Sequence, residues 1–246
     1  MRLLLALFIF IFSIDGSWAY YLVKEEDRRF GLTYKRLNTP YKGYPSDELI
    51  LPYVKYKKSF WDIEDSVVRA IFFNYESFQT GFQLSFEPVG YAGATEGVTT
   101  ELPSTNYSLP FGIYHLQKFT YVDCLINVLV SFWGGDQGLI RRLAFQKDFQ
   151  MFNDIFLRPY FQIELLSKSY VNYYFGIPEA TASLDSYQAG SATNYIIGTN
   201  LGYEVIKKVF FNSSINYTKF HSSITQSPIV TRSQVIEWSA SLSLEI

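Results

Sequence analysis

Two histidines, His115 and His221, and one cysteine, Cys124, bound the side-chain chemistry this 246-residue sequence can carry. A metal site needs His, Cys or carboxylate ligands in a cluster, and these three residues form none. Nucleophilic catalysis needs a serine, a histidine and an orienting group within hydrogen-bond reach. His221-Ser222-Ser223 is the one local candidate. On a strand, neighbouring side chains point to opposite faces, so His221 would miss Ser222 and share a face with Ser223. Glu237 or Glu245 would then have to orient it. The plainer reading is a polar rim at a strand end, and that is the expectation adopted. His115, in Gly112-Ile113-Tyr114-His115, has no serine spaced to help it and reads as structural. Gly134-Gly135 and Gly198 to Gly202 are isolated turn or wall glycines rather than a phosphate-cradling motif. Cys124, alone, can form no intramolecular disulfide and reads as a small apolar wall residue. The residues therefore predict no enzyme, no metal and no cofactor.

The elements that would position any site begin with an export signal. Arg2 precedes an unbroken apolar run, Leu3 to Phe12, then Ser13, Asp15 and Gly16, and the small-x-small pattern Ser17-Trp18-Ala19. That order is the layout of a secretory signal peptide. The run is about half the roughly 20 residues a spanning helix needs. We expect residues 1–19 to be removed and residues 20–246 to form one domain of 227 residues (246 minus 19). No Cys follows the run, so a lipoprotein anchor is excluded.

Aromatic residues make up 19% of the chain, with 20 Tyr and 22 Phe, yet mean hydropathy is only +0.02. No later stretch approaches 18 consecutive apolar residues, which excludes a helical membrane protein. A transmembrane barrel resolves the contradiction, because its apolar outer face and polar lumen cancel in any windowed average. The net charge of −2 argues against a general nucleic-acid surface.

Strict period-two alternation carries the fold assignment, since successive strand side chains point to opposite faces. Ile236, Trp238, Ala240, Leu242, Leu244 and Ile246 alternate with Glu237, Ser239, Ser241, Ser243 and Glu245. Phe78, Thr80, Phe82, Leu84 and Phe86 alternate with Gln79, Gly81, Gln83, Ser85 and Glu87. Tyr195, Ile197, Thr199, Leu201, Tyr203 and Val205 oppose Asn194, Gly198, Asn200, Gly202 and Glu204, with Ile196 the exception. Lys207-Lys208 reads as the turn into a strand in which Val209, Phe211, Ile215 and Tyr217 oppose Lys208, Asn212, Ser214, Asn216 and Thr218. Each stretch is near the ~9–11 residues that cross a bilayer at a tilt. Weaker strands are expected at Arg28 to Leu37, Leu49 to Lys57, Val67 to Tyr75, Phe119 to Phe132, Leu139 to Lys147 and Ile155 to Leu165. Pro159 suggests a bulge or strand end in the last of these. Tyr170 to Ile177 reads as one more short strand.

The sum is an all-β, antiparallel up-and-down transmembrane barrel of about 12 strands, with 10 as the alternative, because such barrels prefer even numbers. Gly90 to Pro110 and Pro178 to Thr193 read as long outward loops, and Gly134-Gly135-Asp136 as a turn. A soluble periplasmic β-sandwich also alternates, but rarely carries so many aromatics on strands this long. Glu25-Glu26-Asp27-Arg28-Arg29 reads as a solvated terminus at the rim. Lys35, Arg36, Lys42, Lys55, Lys57 and Lys58 would make a basic rim facing lipopolysaccharide phosphates, or simply a solvated one.

Several local signatures resemble one family. Tyr41-Lys42-Gly43-Tyr44 followed by Leu51-Pro52-Tyr53 looks like its early strand pair. Tyr170 with Tyr173-Tyr174-Phe175-Gly176-Ile177, then Glu179-Ala180 and Tyr187, resembles its most recognisable motif. Ser227-Pro228-Ile229-Val230 resembles the turn before its last strand. On these residues the chain resembles the MipA/OmpV family of outer-membrane proteins across essentially its whole mature length. The sequence closes on Ile246, apolar and in phase, where many such barrels carry Phe.

The resemblance implies a Gram-negative outer membrane as the location, with its lipid and lipopolysaccharide as surroundings. It also implies a scaffold, because the family's namesake bridges a lytic transglycosylase and a bifunctional murein synthase, positioning them by protein binding. Other members are associated with antibiotic or osmotic responses, which implies a narrow pore for small solutes as the alternative. A lipid-modifying barrel enzyme using His221 is the third reading. The Gly, Ser, Asn and Gln inner face leaves room for a channel, while Phe210 and Phe220 on the same side argue for a partly plugged one. The family has no catalytic residues to carry over.

Overall fold

The alternating stretches pair edge to edge in chain order and come back on themselves. The structure is a computed structural model, and it describes residues 27–44, 46–58, 60–87, 105, 107–131, 138–152, 155–181 and 183–246. The expected signal peptide, Glu25-Glu26, most of the loop beginning at Gly90, and the Gly134-Gly135-Asp136 turn lie outside the described residues.

Thirteen strands are formed: β1 Asp27–Asn38, β2 Ser46–Lys58, β3 Trp61–Glu64, β4 Val67–Asn74, β5 Phe78–Ser85, β6 Pro110–Lys118, β7 Asp123–Ser131, β8 Leu139–Gln146, β9 Phe149–Phe152, β10 Ile155–Leu166, β11 Ala192–Ile206, β12 Val209–Lys219 and β13 Gln234–Glu245. Each pairs antiparallel with its neighbour in sequence, except that β8 and β9 both pair with β10 as two pieces of one stave. β13 pairs with β1 and β10 with β11, so the sheet closes into a ring of twelve staves. Closure gives every strand a neighbour on both sides, although β3 meets β2 only at Lys55–Lys58, so among the described residues the upper part of β2 carries no ladder on that side.

Register explains why the alternation had to be strict. Phe30, Leu32 and Tyr34 of β1 stand opposite Leu244, Leu242 and Ala240 of β13, all on the outer face. Gly31, Thr33 and Lys35 stand opposite Ser243, Ser241 and Ser239, all on the inner face. A slip of one residue would put the whole polar row into lipid. The outer face is accordingly studded with exposed apolar residues on every long strand, among them Leu32, Ile113, Val128, Ile197, Ile215 and Leu242. Exposed aromatics (Phe60, Trp61, Phe72, Phe73, Phe119, Tyr121 and Phe149) gather near the turns after β2, β4, β6 and β9. Such a girdle marks a membrane–water interface. Among the described residues no helix is long and apolar enough to cross a membrane.

The two ends of the barrel differ. At one end lie Asp27, Ile246 and the short turns after β2, β4, β6, β9 and β11, including Lys207-Lys208, where Lys208 adopts φ 70°. The other end carries the connections after β1, β5, β7, β10 and β12, including both expected long loops. Short turns face the periplasm and long loops the exterior in barrels of this kind.

Three expectations are corrected. Residues from Tyr170 form a helix, α1 (Lys168–Phe175), rather than a strand. Its run of aromatics and a valine favours strand locally, but Ser167 caps a helical turn, its Oγ accepting from the Tyr170 N–H at 3.4 Å. Tyr170, Val171, Tyr174 and Phe175 then fall on one buried face. Pro159 causes neither a bulge nor an end in β10, which pairs with β11 without a shift from Ile155 to Leu166. The break lies in the opposite stave, at Lys147-Asp148 between β8 and β9, where the missing Pro159 N–H would have left a ladder carbonyl unpaired. The basic residues do not make one rim. β1 and β2 pair along their full length, from Asp27 against Lys57 to Asn38 against Ser46, so Lys57 and Lys42 belong to opposite ends of the barrel. Lys35 and Lys55 point into the lumen instead, towards Asp65, Asp27 and Glu64.

Candidate functional site

The inner rows converge on a lumen filled by charge pairs at mid-height and closed by an apolar cap at the long-loop end. Arg142 on β8 is the centre of the upper network. Its Nε donates to Glu164 on β10 at 2.9 Å and its Nη1 to Glu87 beyond β5 at 2.6 Å. Glu164 also accepts from Asn194 Nδ2 of β11 at 3.1 Å, and Asn194 Oδ1 accepts the His221 backbone N–H at 3.2 Å. One continuous chain of bonds therefore links three staves to the start of a second helix, α2 (Ser222–Thr225). A buried cation needs this degree of satisfaction, because an unpaired charge in low dielectric costs several kcal/mol. Lower down, Arg69 bonds Asp62 at 3.2 Å, Arg29 bonds Asp27 at 2.8 Å, and Lys55 lies 3.5 Å from Asp27 and 3.3 Å from Glu64. Arg158 is paired with Asp148.

The cap is a hydrophobic cluster assembled from around the rim. Leu129 and Ile140 reach in from β7 and β8, Leu166 and Ala192 from β10 and β11, Tyr41 from the β1–β2 connection, and Ile224 and Ile229 from α2 and the turn after it. α1 lies in the middle, with Val171 and Tyr174 fully buried. The Tyr41 ring stacks on Phe175 at 5.4 Å, and its hydroxyl donates to the Tyr174 carbonyl at 3.2 Å. Ser227 Oγ donates to the Phe175 carbonyl at 2.6 Å, and Asn172 exchanges two bonds with Ala189. Burial and the neighbouring carboxylates of Glu87 and Glu164 raise the Tyr170 hydroxyl well above its ordinary pKa, which keeps it neutral beneath the cap. Phe220 packs against this cluster and Phe210 is buried lower in the lumen, so both aromatics expected to narrow the lumen do face it.

Two cavities occupy the remaining lumen. The upper one, about 580 Å³, is walled by Arg142, Glu164, Asn194, Glu237 and the underside of the cap at Tyr170 and Phe175. The lower one, about 750 Å³, lies toward the short-turn end and is walled by residues of β1, β2, β10, β11, β12 and β13. Glu64, Asp65, Arg158, Asn200, Ser214 and Ser239 border both.

The residues singled out for catalysis are scattered. His221 and Ser223 do meet, Nδ1 to Oγ at 3.1 Å, but on a helical turn rather than a strand. The same Nδ1 accepts the Ser223 backbone N–H at 3.1 Å, so this ring nitrogen is the N-cap of α2. Glu245 pairs with Arg29 at the far end of the barrel, while Glu237 borders the upper cavity. Neither carboxylate is among the partners His221 makes. His115 lies on the lipid-facing row, bonded to Thr80 Oγ1 at 2.7 Å across β5 and β6. Cys124 sits on the same outer face, opposite Gln117 and Phe145. Among the described residues, no three His, Cys, Asp or Glu side chains gather to hold a metal.

The Arg142 network and the cap helix escaped the sequence reading. Glu87, Arg142, Glu164 and Asn194 come from four separated segments, and no spacing rule links them. A polar residue at an inner position is the one signal each carries.

The chain is similar in sequence to known outer membrane proteins. The chain is 38% identical over 76 residues to outer membrane protein Omp26La of Vibrio anguillarum, and equally to outer membrane protein OmpV of Vibrio cholerae serotype O1. In both cases the matched stretch covers 30% of this chain and 30% of the relative. Among solved structures, an outer membrane channel of Pseudomonas putida F1 superposes with a TM-score of 0.43 at 8% identity, covering 94% of this chain and 100% of that one. OmpT, an outer membrane protein of Vibrio cholerae, gives 0.37 at 7% identity, covering 92% and 100%. The protein is an outer-membrane β-barrel. The family model described as MltA-interacting protein MipA matches residues 30–245, from Phe30 of β1 to the end of β13, and the chain belongs to that family.

Proposed function

We propose that this barrel is a scaffold that holds a murein enzyme at the inner surface of the outer membrane by protein binding. The observation that carries the reading is the cap. An apolar cluster drawn from the β1–β2 connection, α1, α2 and four staves seals the long-loop mouth over that arc, above a lumen crossed by ion pairs. A wall built this way gives a rigid platform, and it gives solutes no wide path. The family description points to MltA as the kind of partner. The short turns, including Lys207-Lys208, lie at the end that faces the periplasm in such barrels, where a partner would dock.

Purified protein in detergent, titrated with purified MltA, tests the reading. Saturable binding together with a silent planar bilayer is the expected pair of results. Well-resolved single-channel steps without any binding would overturn it. A narrow pore is the second reading, favoured by the wall residues the two lumen cavities share; small steps that survive alongside binding would support it.

A further inference from the structure

The lower lumen cavity is more than a gap left by ion pairs, because its two walls have different chemistry. One wall, on β1 to β3 and the turn after them with Asp148 and Arg158 facing them, carries four cations, Arg29, Lys55, Lys57 and Arg158, and four carboxylates, Asp27, Glu64, Asp65 and Asp148. Three of the cations are ion-paired within the site, and the formal charges of the wall sum to zero, so it favours an ion of neither sign. The opposite wall, on β11 to β13 with Thr33 of β1, is neutral and rich in hydroxyl and amide groups.

Hydrogen-bonding capacity is left over on that wall alone. Thr33 Oγ1 and Asn212 Nδ2 are buried and have no partner among the described residues, and both residues border the cavity. Ser243 Oγ, further along the same inner row of β13, is likewise unpartnered. Thr33 is 2% exposed and Ser243 3%. Register makes this a patch rather than a coincidence: Ser241 stands opposite both Thr33 and Asn212, and Ser243 opposite both Gly31 and Phe210. A buried polar atom without a partner costs about 1–3 kcal/mol, so a cluster of them implies something that fills it. Beside the patch lie two aromatic faces, Tyr53 and Phe210. The Arg29 guanidinium sits 3.5 Å from the Phe210 ring centre and holds that ring in place.

We propose that the lower cavity binds a neutral, hydroxyl-rich ligand of one or two sugar rings. A sugar ring presents hydroxyls at its edge and C–H groups on its face. The edge matches Thr33, Asn212 and Ser241, and the C–H groups meet those parts of the Phe210 and Tyr53 rings that border the cavity. The cavity volume of about 750 Å³ falls within the ~300–1,000 Å³ of small-molecule sites. The site lies toward the short-turn end, so a ligand reaches it without passing the cap. This inference stands apart from the scaffold reading and does not depend on any protein partner.

The test uses the full-length protein in detergent micelles and three disaccharide probes of similar size and different charge: cellobiose, cellobiouronate and chitobiose (the β-1,4 dimer of glucosamine). Calorimetric titration is expected to show saturable binding of cellobiose and roughly tenfold weaker binding by a Thr33→Val, Asn212→Ala double variant. Heat-modifiable gel migration confirms that the variant is folded. Saturation transfer from aromatic protons to the sugar C–H protons, in the unsubstituted protein, reads the Phe210 and Tyr53 contact even if the variant misfolds. Tighter binding of either charged probe, an unchanged affinity in the folded variant, or no aromatic transfer would each overturn the proposal.

Discussion

At the scale of single residues, position in the closed ring decides what each polar group does. His221 and Ser223 lie within hydrogen-bond distance, as an acyl-transfer site would need, yet the histidine nitrogen is engaged by the backbone at the start of α2. Replacing it by alanine removes one cap bond. We expect His221→Ala to lower stability by about 1 kcal/mol, read as a small drop in the temperature of the gel-mobility shift. Arg142 is different in kind. It neutralises Glu87 and Glu164 at once, so Arg142→Met leaves two buried carboxylates facing each other. A loss of about 3 kcal/mol or more is expected in urea unfolding from micelles. Restoring much of that loss with Glu87→Gln added to Arg142→Met would show that repulsion, rather than lost packing, is the cause. Gly198 matters for room: a side chain there would collide with Asn216 and Tyr160, whose hydroxyl–amide bond spans the inner face.

At the scale of elements, α1 is the piece that distinguishes this barrel from an open tube. Its sequence, Lys-Ser-Tyr-Val-Asn-Tyr-Tyr-Phe, carries strand-favouring residues, and an eight-residue helix is marginal by itself in water. It forms because its buried face meets Leu129, Ile140 and Tyr41 from other parts of the ring. Val171→Asp puts an unpaired charge into that cluster. We expect the variant barrel to insert and to keep its gel shift, while the cap loosens and single-channel conductance appears where the native protein is expected to show none. Unchanged silence in the bilayer would mean that the cap is not what closes the lumen. This is also where the sequence was least legible. Tyr170 to Ile177 reads as a strand because aromatics and valine favour extended backbone locally, and the contacts that outweigh that preference come from residues about 30 to 130 positions away.

At the scale of the whole molecule, the apolar belt and the closed hydrogen-bond ring make one cooperative unit in the membrane. Val128, on the outer row of β7 opposite Ile113 of the next stave, is exposed to lipid. Val128→Arg should cost about 2–4 kcal/mol if its level is near the bilayer midplane, measured by urea titration of folding into vesicles. The same substitution at Tyr121, on the turn after β6, should cost about 1 kcal/mol or less, because that level is wet.

Most of the wall was readable without coordinates. The alternations of β5, β11, β12 and β13 gave inner and outer rows that the structure keeps, apart from a register shift at the end of β11 between Glu204 and Ile206, and twelve staves agree with the even count expected. Alternation is a local property dictated by the pleat, so it survives in the sequence of each strand. β3 and β9, four residues each, are too short to show a period, and β6 carries Tyr114 and Leu116 inward and His115 outward against its pattern. What the tertiary structure alone decided is the contents of the barrel. The Arg142 network, the α1 plug and the unpartnered patch at Thr33 and Asn212 all join residues distant in sequence, whereas His221 becomes a cap through Ser223, two residues on, once the chain there turns helical. Closing the ring brings them within reach, and the strand period carries no information about which inner residue will face which across the lumen.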